Sequence, residues 1–186
     1  MNIDEIEYLS HHEKVYLSDY DINWETQFIN EKILLQSCFP DIFIEHIGST
    51  SVKGMAAKPI IDIMLGVVSY PPSNEMIRKL EESGYIYLGE HGEQDKTDKR
   101  ISLSKRGGVN FNIHFMQYLG KSWNNNILFR DYLRKNQNAV SEYSRIKQDI
   151  INRGIDDTLI YSNEKSGFIS NILDKAQKEQ CNKILT

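Results

Sequence analysis

The sequence predicts an α+β domain, with strands and helices mixed in the N-terminal two-thirds of the chain and helices alone in the C-terminal third. Three patterns support this prediction. The nearly continuous apolar run at residues 60–68 has the length and the branched side chains of a buried strand. Residues 110–118 alternate between apolar and polar side chains, as in a half-buried strand. From Trp123 onward, apolar residues recur at helical spacing.

The predicted elements have recognisable starts and stops. Asn23 can cap the first helix, and Ser73 or Asn74 can cap the second, which Gly84 ends. Strands are predicted at residues 42–47, 60–68, 85–88, 100–104 and 110–118. Helices are predicted at residues 24–37, 74–83, 123–135, 137–153 and 160–178.

The length of 186 residues fits one domain, which we place at residues 15–178, between a variable leader (1–14) and a C-terminal tail (179–186). The leader contains the adjacent pair His11–His12, which is more typical of a solvated terminus than of a metal site. The net charge of −4 provides no overall field that attracts nucleic acid, so nucleic acid is disfavoured as a partner.

The cysteine pattern and the apolar runs indicate a cytoplasmic protein. Cys38 and Cys181 lie far apart and form no CxxC or Cys/His cluster, so neither a zinc site nor a disulfide framework is expected. The N-terminal residues lack the basic and apolar regions of a signal peptide. The longest apolar run is too short to span a bilayer, and no membrane partner is expected.

A candidate site lies between the second and third predicted elements. The strand at 42–47 ends in Gly48-Ser49-Thr50-Ser51, where glycine lets backbone N–H groups approach a phosphate and the hydroxyls add donors. Asp62 lies between apolar residues on the next strand, and a buried carboxylate needs a partner or a metal. A carboxylate beside phosphates is what Mg²⁺ or another divalent metal binds. The pattern is compatible with phosphoryl or nucleotidyl transfer.

A structural interpretation of the same residues stays open. The Gly-Ser-Thr-Ser segment could be a turn without a ligand, since it is not a Walker loop. Asp62 could be a structural acid paired with Lys58 or with a loop amide.

Several blocks of the sequence resemble those of one known family. The longest is HIGSTSVKGMAAKPIIDI at residues 46–63. The shorter blocks are Tyr20-Asp21-Ile22-Asn23-Trp24, Ile113-His114-Phe115, Phe129-Arg130-Asp131-Tyr132-Leu133-Arg134, Tyr143 with Lys147, and Tyr161 with Lys165. Together they are similar to the GrpB-like family, and the similarity extends over residues 15–178.

The resemblance implies a nucleotidyltransferase-like fold, a mixed sheet flanked by helices with a helical C-terminal extension. In that superfamily a Gly-Ser precedes an acid-x-acid pair, and a third acid lies on a later strand. Gly48-Ser49 and Asp62 match the first part, whereas Met64 and His114 occupy the positions of the other two acids. Thioether sulfur is a poor ligand for Mg²⁺. The site could therefore hold one metal through Asp62 and His114, hold a different metal with His46 and His114, or bind a phosphorylated ligand without catalysis.

The helical third contributes further candidates. Arg130 and Arg134 lie four residues apart on one helix face and could clamp a phosphate, with Lys58 adding charge, although Asp131 could pair with them instead. Tyr143 with Lys147, and Tyr161 with Lys165, could line a ligand groove or be buried tyrosines beside snorkelling lysines.

The resulting hypothesis is a nucleotidyltransferase-like protein that binds a nucleotide or phosphorylated small molecule, with Asp62, His114 and His46 as candidate catalytic residues. The alternatives are a non-catalytic ligand-binding or regulatory module and a partner-binding domain. If the hypothesis holds, the segment 48–51, Asp62 and His114 converge at one end of the sheet, and Arg130 faces the same cleft. Because adjacent strand residues face opposite sides, only one of Glu45 and His46 can point into it.

Overall fold

The computed structural model describes residues 15–92, 99–155 and 157–184. The predicted leader, with His11 and His12, lies outside the described residues. All five predicted strands are present, as β1 (Phe43–Ile47), β2 (Ile61–Val67), β3 (Ile86–His91), β4 (Arg100–Lys105) and β5 (Phe111–Gln117). They form one sheet in the order β1-β2-β5-β4-β3. The β2–β5 pair is parallel and the others are antiparallel, so the sheet is mixed.

The helices of the described chain confirm the α+β prediction and correct its details. They are α1 (Asn23–Cys38), α2 (Asn74–Glu82), α3 (Lys121–Lys135), α4 (Gln137–Asn152), α5 (Thr158–Glu164) and α6 (Ser166–Ile184). The helix predicted at 160–178 is two helices with a turn at Lys165, and α6 continues into the predicted tail. The break was missed because both segments keep helical spacing. No helix of the described residues is long and apolar enough to cross a membrane.

Two of the predicted caps have different outcomes. Ser73 caps α2 as expected, because its hydroxyl accepts a hydrogen bond from the Met76 backbone N–H. Asn23 does not cap α1 but is its first residue, and the carboxylate of Asp21 accepts the Asn23 backbone N–H at 2.9 Å. A carboxylate at a helix start satisfies a donor that otherwise lacks a partner.

The two faces of the sheet pack against different helices. Alternate residues of β2, such as Ile61, Ile63 and Leu65, join the main core with residues of α1 and α2. The other face carries Asp62, Met64 and Gly66, because successive strand residues alternate between faces. Part of this second face is covered by α3, whose Trp123 lies so close to Gly66 that a Cβ there would be 2.5 Å from the indole ring. The remainder of this face positions the candidate site.

Candidate functional site

Two predicted site residues, Asp62 and His114, share one face and one end of the sheet with Asn112. Asp62 on β2 lies opposite Asn112 on β5, and His114 lies two residues further along β5. Residues directly opposite in a sheet and residues two apart in a strand point to the same side. Gly48, which begins the segment after β1, packs against the Asp62 side chain, so the expected convergence of this segment, Asp62 and His114 is confirmed.

Asp62 is the centre of a polar network. Its Oδ1 accepts a hydrogen bond from Asn112 Nδ2 at 2.9 Å and lies 3.7 Å from His114 Nε2. The other ring nitrogen of His114, Nδ1, forms a hydrogen bond with Ser102 Oγ at 3.2 Å, which fixes the orientation of the imidazole. Burial acts to raise the pKa of Asp62, but the neighbouring His114 and Asn112 side chains and the charge of Lys165 outweigh it and hold this pKa below its ordinary value. Asp62 is therefore a carboxylate at neutral pH.

The segment after β1 is a tight turn that only glycine can begin. Gly48 has φ of 70° and ψ of −174°, and residues Ser49–Ser51 then form one 3₁₀ turn. A Cβ at Gly48 would lie 2.3 Å from Asp62 Oδ2, so the backbone packs directly against the carboxylate. Ser51 Oγ donates to the Gly48 carbonyl at 2.7 Å, which closes the turn. Glycine is thus required both by conformation and by close approach.

A cavity of about 200 Å³ opens between this turn, the sheet and the C-terminal helices. We call it the lysine cavity, since three lysines from separate segments line it. The lining residues are Ser49, Thr50, Ala57, Lys58, Ile60, Asp62, Asn112, Lys147, Thr158, Tyr161, Ser162 and Lys165. Asp62 is the only acid among these described residues, so the cavity is positively charged.

Lys147 and Lys165 are each held in a defined position. Lys147 on α4 is buried, and its Nζ donates to Ser49 Oγ at 3.0 Å and to the Ala56 carbonyl. Lys165 lies in the turn between α5 and α6, with Nζ 4.1 Å from the centre of the Tyr161 ring. Tyrosine faces attract cations, so Tyr161 steadies the charge of Lys165. Lys147 is therefore linked directly to the turn that begins at Gly48.

Burial and mutual repulsion lower the pKa values of these lysines. The pKa of Lys147 falls to about 7, first because it is buried and then because Lys165 is near. The pKa of Lys165 falls to about 8, again mainly by burial and then by the charge of Lys58, while Asp62 partly offsets both effects. The repulsive part of these shifts shows that Lys58, Lys147 and Lys165 lie close enough to disfavour one another's positive charge. A bound anion would relieve that repulsion.

The structure places His46 away from the lysine cavity. It lies opposite Ile63 in the sheet and so faces the main core, where its ring stacks on Phe28 at 4.6 Å. Its Nε2 lies 3.0 Å from Thr50 Oγ1, and burial lowers its pKa to about 4. The expectation that His46 could join His114 in one metal site is therefore wrong, because the two histidines are on opposite faces of the sheet.

The arginines of α3 also differ from expectation. Arg130 donates to Glu45 Oε2 at 2.6 Å, to the His46 carbonyl at 3.0 Å and to Asp131 Oδ1 at 2.8 Å. Arg134 donates twice to the Ser51 carbonyl, at 3.1 and 2.9 Å. Neither residue lines the lysine cavity. The expectation that Arg130 faces the cleft is wrong, since Glu45 shares the face covered by α3 and binds the guanidinium.

Tyr143 supports the site without lining it. Its ring is buried, stacks on Phe168 at 4.7 Å and meets Phe129 edge-on. Lys147 Nζ lies 4.7 Å from the centre of the same ring. Through these ring contacts Tyr143 anchors α4, the helix that carries both Tyr143 and Lys147. It also stabilises the Lys147 cation by a cation–π contact.

The donor set at Asp62 does not fit a two-ion centre. Met64, at the position of the second acid, is fully buried in an apolar cluster with Ile47, Met116 and Trp123. Within the described ranges, no group of three or more His, Cys, Asp or Glu side chains could together hold a metal ion. Two-ion sites need more carboxylates than Asp62 alone supplies.

Several residues of the cavity were missed or left unassigned by the sequence. Asn112, Thr158 and Ser162 have no recognisable motif, whereas Tyr161 and Lys165, given as a pair that could line a ligand groove or be a buried tyrosine beside a snorkelling lysine, both line the cavity. A signal for Asn112 did exist, since it lies two positions before His114 on a predicted strand and so had to share its face. Thr158 and Ser162 come from a helix whose approach to the sheet leaves no local trace in sequence.

Fold and site together define the class: an α+β domain with a mixed sheet and a basic cavity beside a glycine-dependent turn. The chain belongs to the GrpB family, whose model, described as GrpB protein, matches residues 14–175.

Two curated relatives and one solved structure show the extent of the similarity. The chain is 34% identical over 167 residues to the glutamate-rich protein GrpB of Alkalihalophilus pseudofirmus, covering 87% of this chain and 95% of that protein. It is 31% identical over 165 residues to a UPF0157 protein of Streptomyces coelicolor, covering 88% and 84%. The crystal structure of conserved protein GrpB from Enterococcus faecalis matches with a TM-score of 0.75 at 29% identity, covering 89% of this chain and 99% of that one.

Proposed function

We propose that this protein binds the phosphate groups of a nucleotide or another phosphorylated small molecule in the lysine cavity. The observation that carries the proposal is the convergence of Lys58, Lys147 and Lys165 on one cavity, bordered by the turn at Gly48 and Ser49. Phosphate is the common small-molecule group that matches several cations and hydroxyl donors in a small space.

The Asp62 carboxylate orders this arrangement. It lies against the Gly48 backbone and so fixes the turn at residues 48–51. The Ser49 hydroxyl of this turn accepts a hydrogen bond from Lys147 Nζ. A divalent cation such as Mg²⁺ could also bind at Asp62 together with ligand phosphates, because Mg²⁺ is often held by one or two carboxylates plus substrate oxygens. Binding is therefore measured with and without Mg²⁺ and Mn²⁺.

Calorimetry with inorganic tripolyphosphate tests the proposal directly. Lys147→Met and Lys165→Met should each weaken binding about tenfold or more, since each removes a cation that faces the ligand. Lys175→Met is the matched control, because Lys175 is exposed on α6 and lies outside the cavity. Equal binding by all three variants, or no binding by the wild type, would refute the proposal.

A second candidate function is nucleotidyl transfer in the same cavity, which the contact between Asp62 and His114 favours. An acceptor hydroxyl would attack the α-phosphorus of a nucleoside triphosphate, His114 would accept the hydroxyl proton, and the bond to the leaving pyrophosphate would break. Pyrophosphate release is measured with the four nucleoside triphosphates and a panel of hydroxyl and amine acceptors. Release that disappears in Asp62→Asn supports transfer, whereas tight binding without release supports a binding module.

The buried environment of Met64 limits how transfer can be tested. Restoring an acid by Met64→Asp would place a charge in the apolar cluster beneath Trp123, at a large cost in stability. Asp62→Asn is the cleaner variant, since it removes one charge and retains the shape of the side chain.

A further inference from the structure

A second opening adjoins the lysine cavity on the same sheet face. It has a volume of about 260 Å³ and lies over β3, β4 and β5, where α3 does not cover the sheet. Its walls include Leu88 and Arg100 from the sheet and Leu159 from α5. We call it the adjoining groove.

The lysine cavity and the adjoining groove are continuous. They share Lys58, Ile60, Asn112, Thr158 and Ser162 as lining residues. Asp62 lines the cavity and His114 lines the groove, and the 3.7 Å contact between these side chains marks the junction. Together the two openings reach the lower part of the range of about 300–1,000 Å³ that is usual for small-molecule sites.

The chemistry of the groove differs from that of the cavity. Leu88 and Leu159 contribute apolar surface from opposite walls, one from the sheet and one from a helix. A bulge in β3 between Tyr87 and Gly89 interrupts the pairing at Leu88, so that residue departs from the regular alternation. Ser102 and Ser162 add hydroxyls. A groove with apolar walls, a few hydroxyls and the planar guanidinium groups of Arg100 and Arg106 suits a planar ring joined to a sugar.

One polar atom at the boundary lacks a partner. Thr158 lines both openings, and its Oγ1 is buried without a hydrogen-bond partner among the described residues. A buried hydroxyl without a partner is costly and calls for an explanation. A ligand that crosses the boundary between the two openings would supply a partner for this hydroxyl.

We propose that the adjoining groove binds the nucleoside of a nucleotide whose phosphates lie in the lysine cavity. The inference rests on the proposed function and narrows its ligand class, from any phosphorylated molecule to a nucleotide. The apolar walls receive the base, the hydroxyls face the sugar, and the phosphate next to the sugar lies at the junction of Asp62 and His114.

Two neighbouring residues, Leu159 and Ile160, allow a matched test of whether the adjoining groove binds the nucleoside. Leu159 and Ile160 lie side by side on α5 and are 60% and 50% exposed, but only Leu159 lines the groove. Calorimetry compares inorganic tripolyphosphate with ATP, GTP, CTP and UTP, which present the same phosphates with and without a nucleoside. In the wild type at least one nucleotide should bind about tenfold more tightly than tripolyphosphate.

Two variants then test whether the additional affinity for the nucleotide over tripolyphosphate comes from the adjoining groove. Leu159→Ala should weaken that nucleotide roughly three- to tenfold, by loss of apolar contact, and leave tripolyphosphate unchanged. Ile160→Ala should leave both unchanged, and circular dichroism checks that both variants are folded. If no nucleotide binds more tightly than tripolyphosphate, or if both variants have equal effects, the inference is overturned while the lysine cavity stands. If tripolyphosphate itself does not bind, the proposed function fails.

Discussion

At the scale of single residues, the turn beside the lysine cavity depends on the environments of Gly48 and His46. Gly48 combines a left-handed φ with direct contact between its backbone and Asp62. His46 is conformationally ordinary, but it is buried as a neutral ring between Phe28 and the Thr50 hydroxyl. Thr50 Oγ1 also donates to the Ile60 carbonyl at 3.4 Å, so His46 Nε2 is the donor to Thr50. Both residues border the same turn from different sides.

Gly48→Ala should destabilise the protein and abolish phosphate binding. The new Cβ would lie 2.3 Å from Asp62 Oδ2, and alanine is strained at φ of 70°. We expect a loss of roughly 2–4 kcal/mol in the free energy of unfolding, measured by urea denaturation. Gly107→Ala is the control, because a Cβ there meets nothing within 4 Å. Equal stability of the two variants would contradict the assigned role of Gly48.

His46 should make the protein acid-sensitive. Its pKa falls to about 4 in the folded protein from an ordinary value of 6.5. Between these values the unfolded chain binds more protons, so stability drops as the pH falls from about 6.5 to about 4. The expected loss is roughly 2–3 kcal/mol by urea denaturation, and His46→Gln should remove that part of the pH dependence. Identical pH profiles for wild type and variant would exclude His46 as the cause.

At the scale of elements, the lysine cavity exists because α4, α5 and the break after α5 approach one turn. Lys147 reaches Ser49 from α4, while Lys165 enters from the break between α5 and α6. Asp157 fixes the start of α5 by accepting the backbone N–H groups of Leu159 and Ile160 at 2.8 and 2.9 Å. An uninterrupted helix across residue 165 would have carried Lys165 along a regular helical face. The break is therefore part of the site.

Anion binding should take up protons. A bound anion favours charged lysines and raises the pKa values of Lys147 and Lys165 from about 7 and about 8. Affinity should therefore fall as the pH rises above about 7, by up to tenfold per pH unit for each proton taken up. Sulfate is the probe, because it stays fully ionised over this range. Calorimetry in buffers of different ionisation enthalpy measures the protons, and Lys147→Met should lower their number; an unchanged number would contradict the assignment.

At the scale of the whole molecule, the helical third is joined to the sheet by both apolar and ionic contacts. Residues Val52 and Met55, just after the turn, lie in one buried cluster with Leu133, Val140 and Phe168 from α3, α4 and α6. Arg130 adds a polar link, from α3 to β1, through Glu45 and the His46 carbonyl. The turn is therefore held between two packed layers, which fixes the walls of the lysine cavity.

Arg130→Met should reduce stability without affecting phosphate binding directly. Removing a mostly buried guanidinium, 10% exposed, leaves Glu45 and a carbonyl without their donor, so we expect a loss of roughly 2–4 kcal/mol by urea denaturation. Tripolyphosphate affinity of the folded variant should stay within about threefold of the wild type. Arg153→Met, which removes the exposed ion pair with Glu164, should cost less than about 1 kcal/mol. A large loss of affinity in Arg130→Met would restore the clamp interpretation.

The sequence by itself was sufficient for the order and type of the strands and of the helices before residue 158, because these depend on local periodicity. The apolar run around Asp62, the alternation around His114 and the turn at Gly48 all predicted the elements that are observed. The shared face of Asp62 and His114 could also be anticipated, since each lies on a strand with a fixed period of two. The break at Lys165 could not, because helical spacing continues on both sides of it.

Only the tertiary structure decided which charged groups reach the cavity. Arg130 and Lys147 are equally plausible phosphate ligands in sequence, yet Arg130 is bound by Glu45 while Lys147 reaches Ser49. His46 and His114 are both strand histidines, but pairing opposite Ile63 turns the first toward the core. Asn112, Thr158 and Ser162 join the site through the packing of α5 on the sheet. The physical reason is that periodicity sets the direction of a side chain within its own element, whereas its partners depend on how distant elements pack.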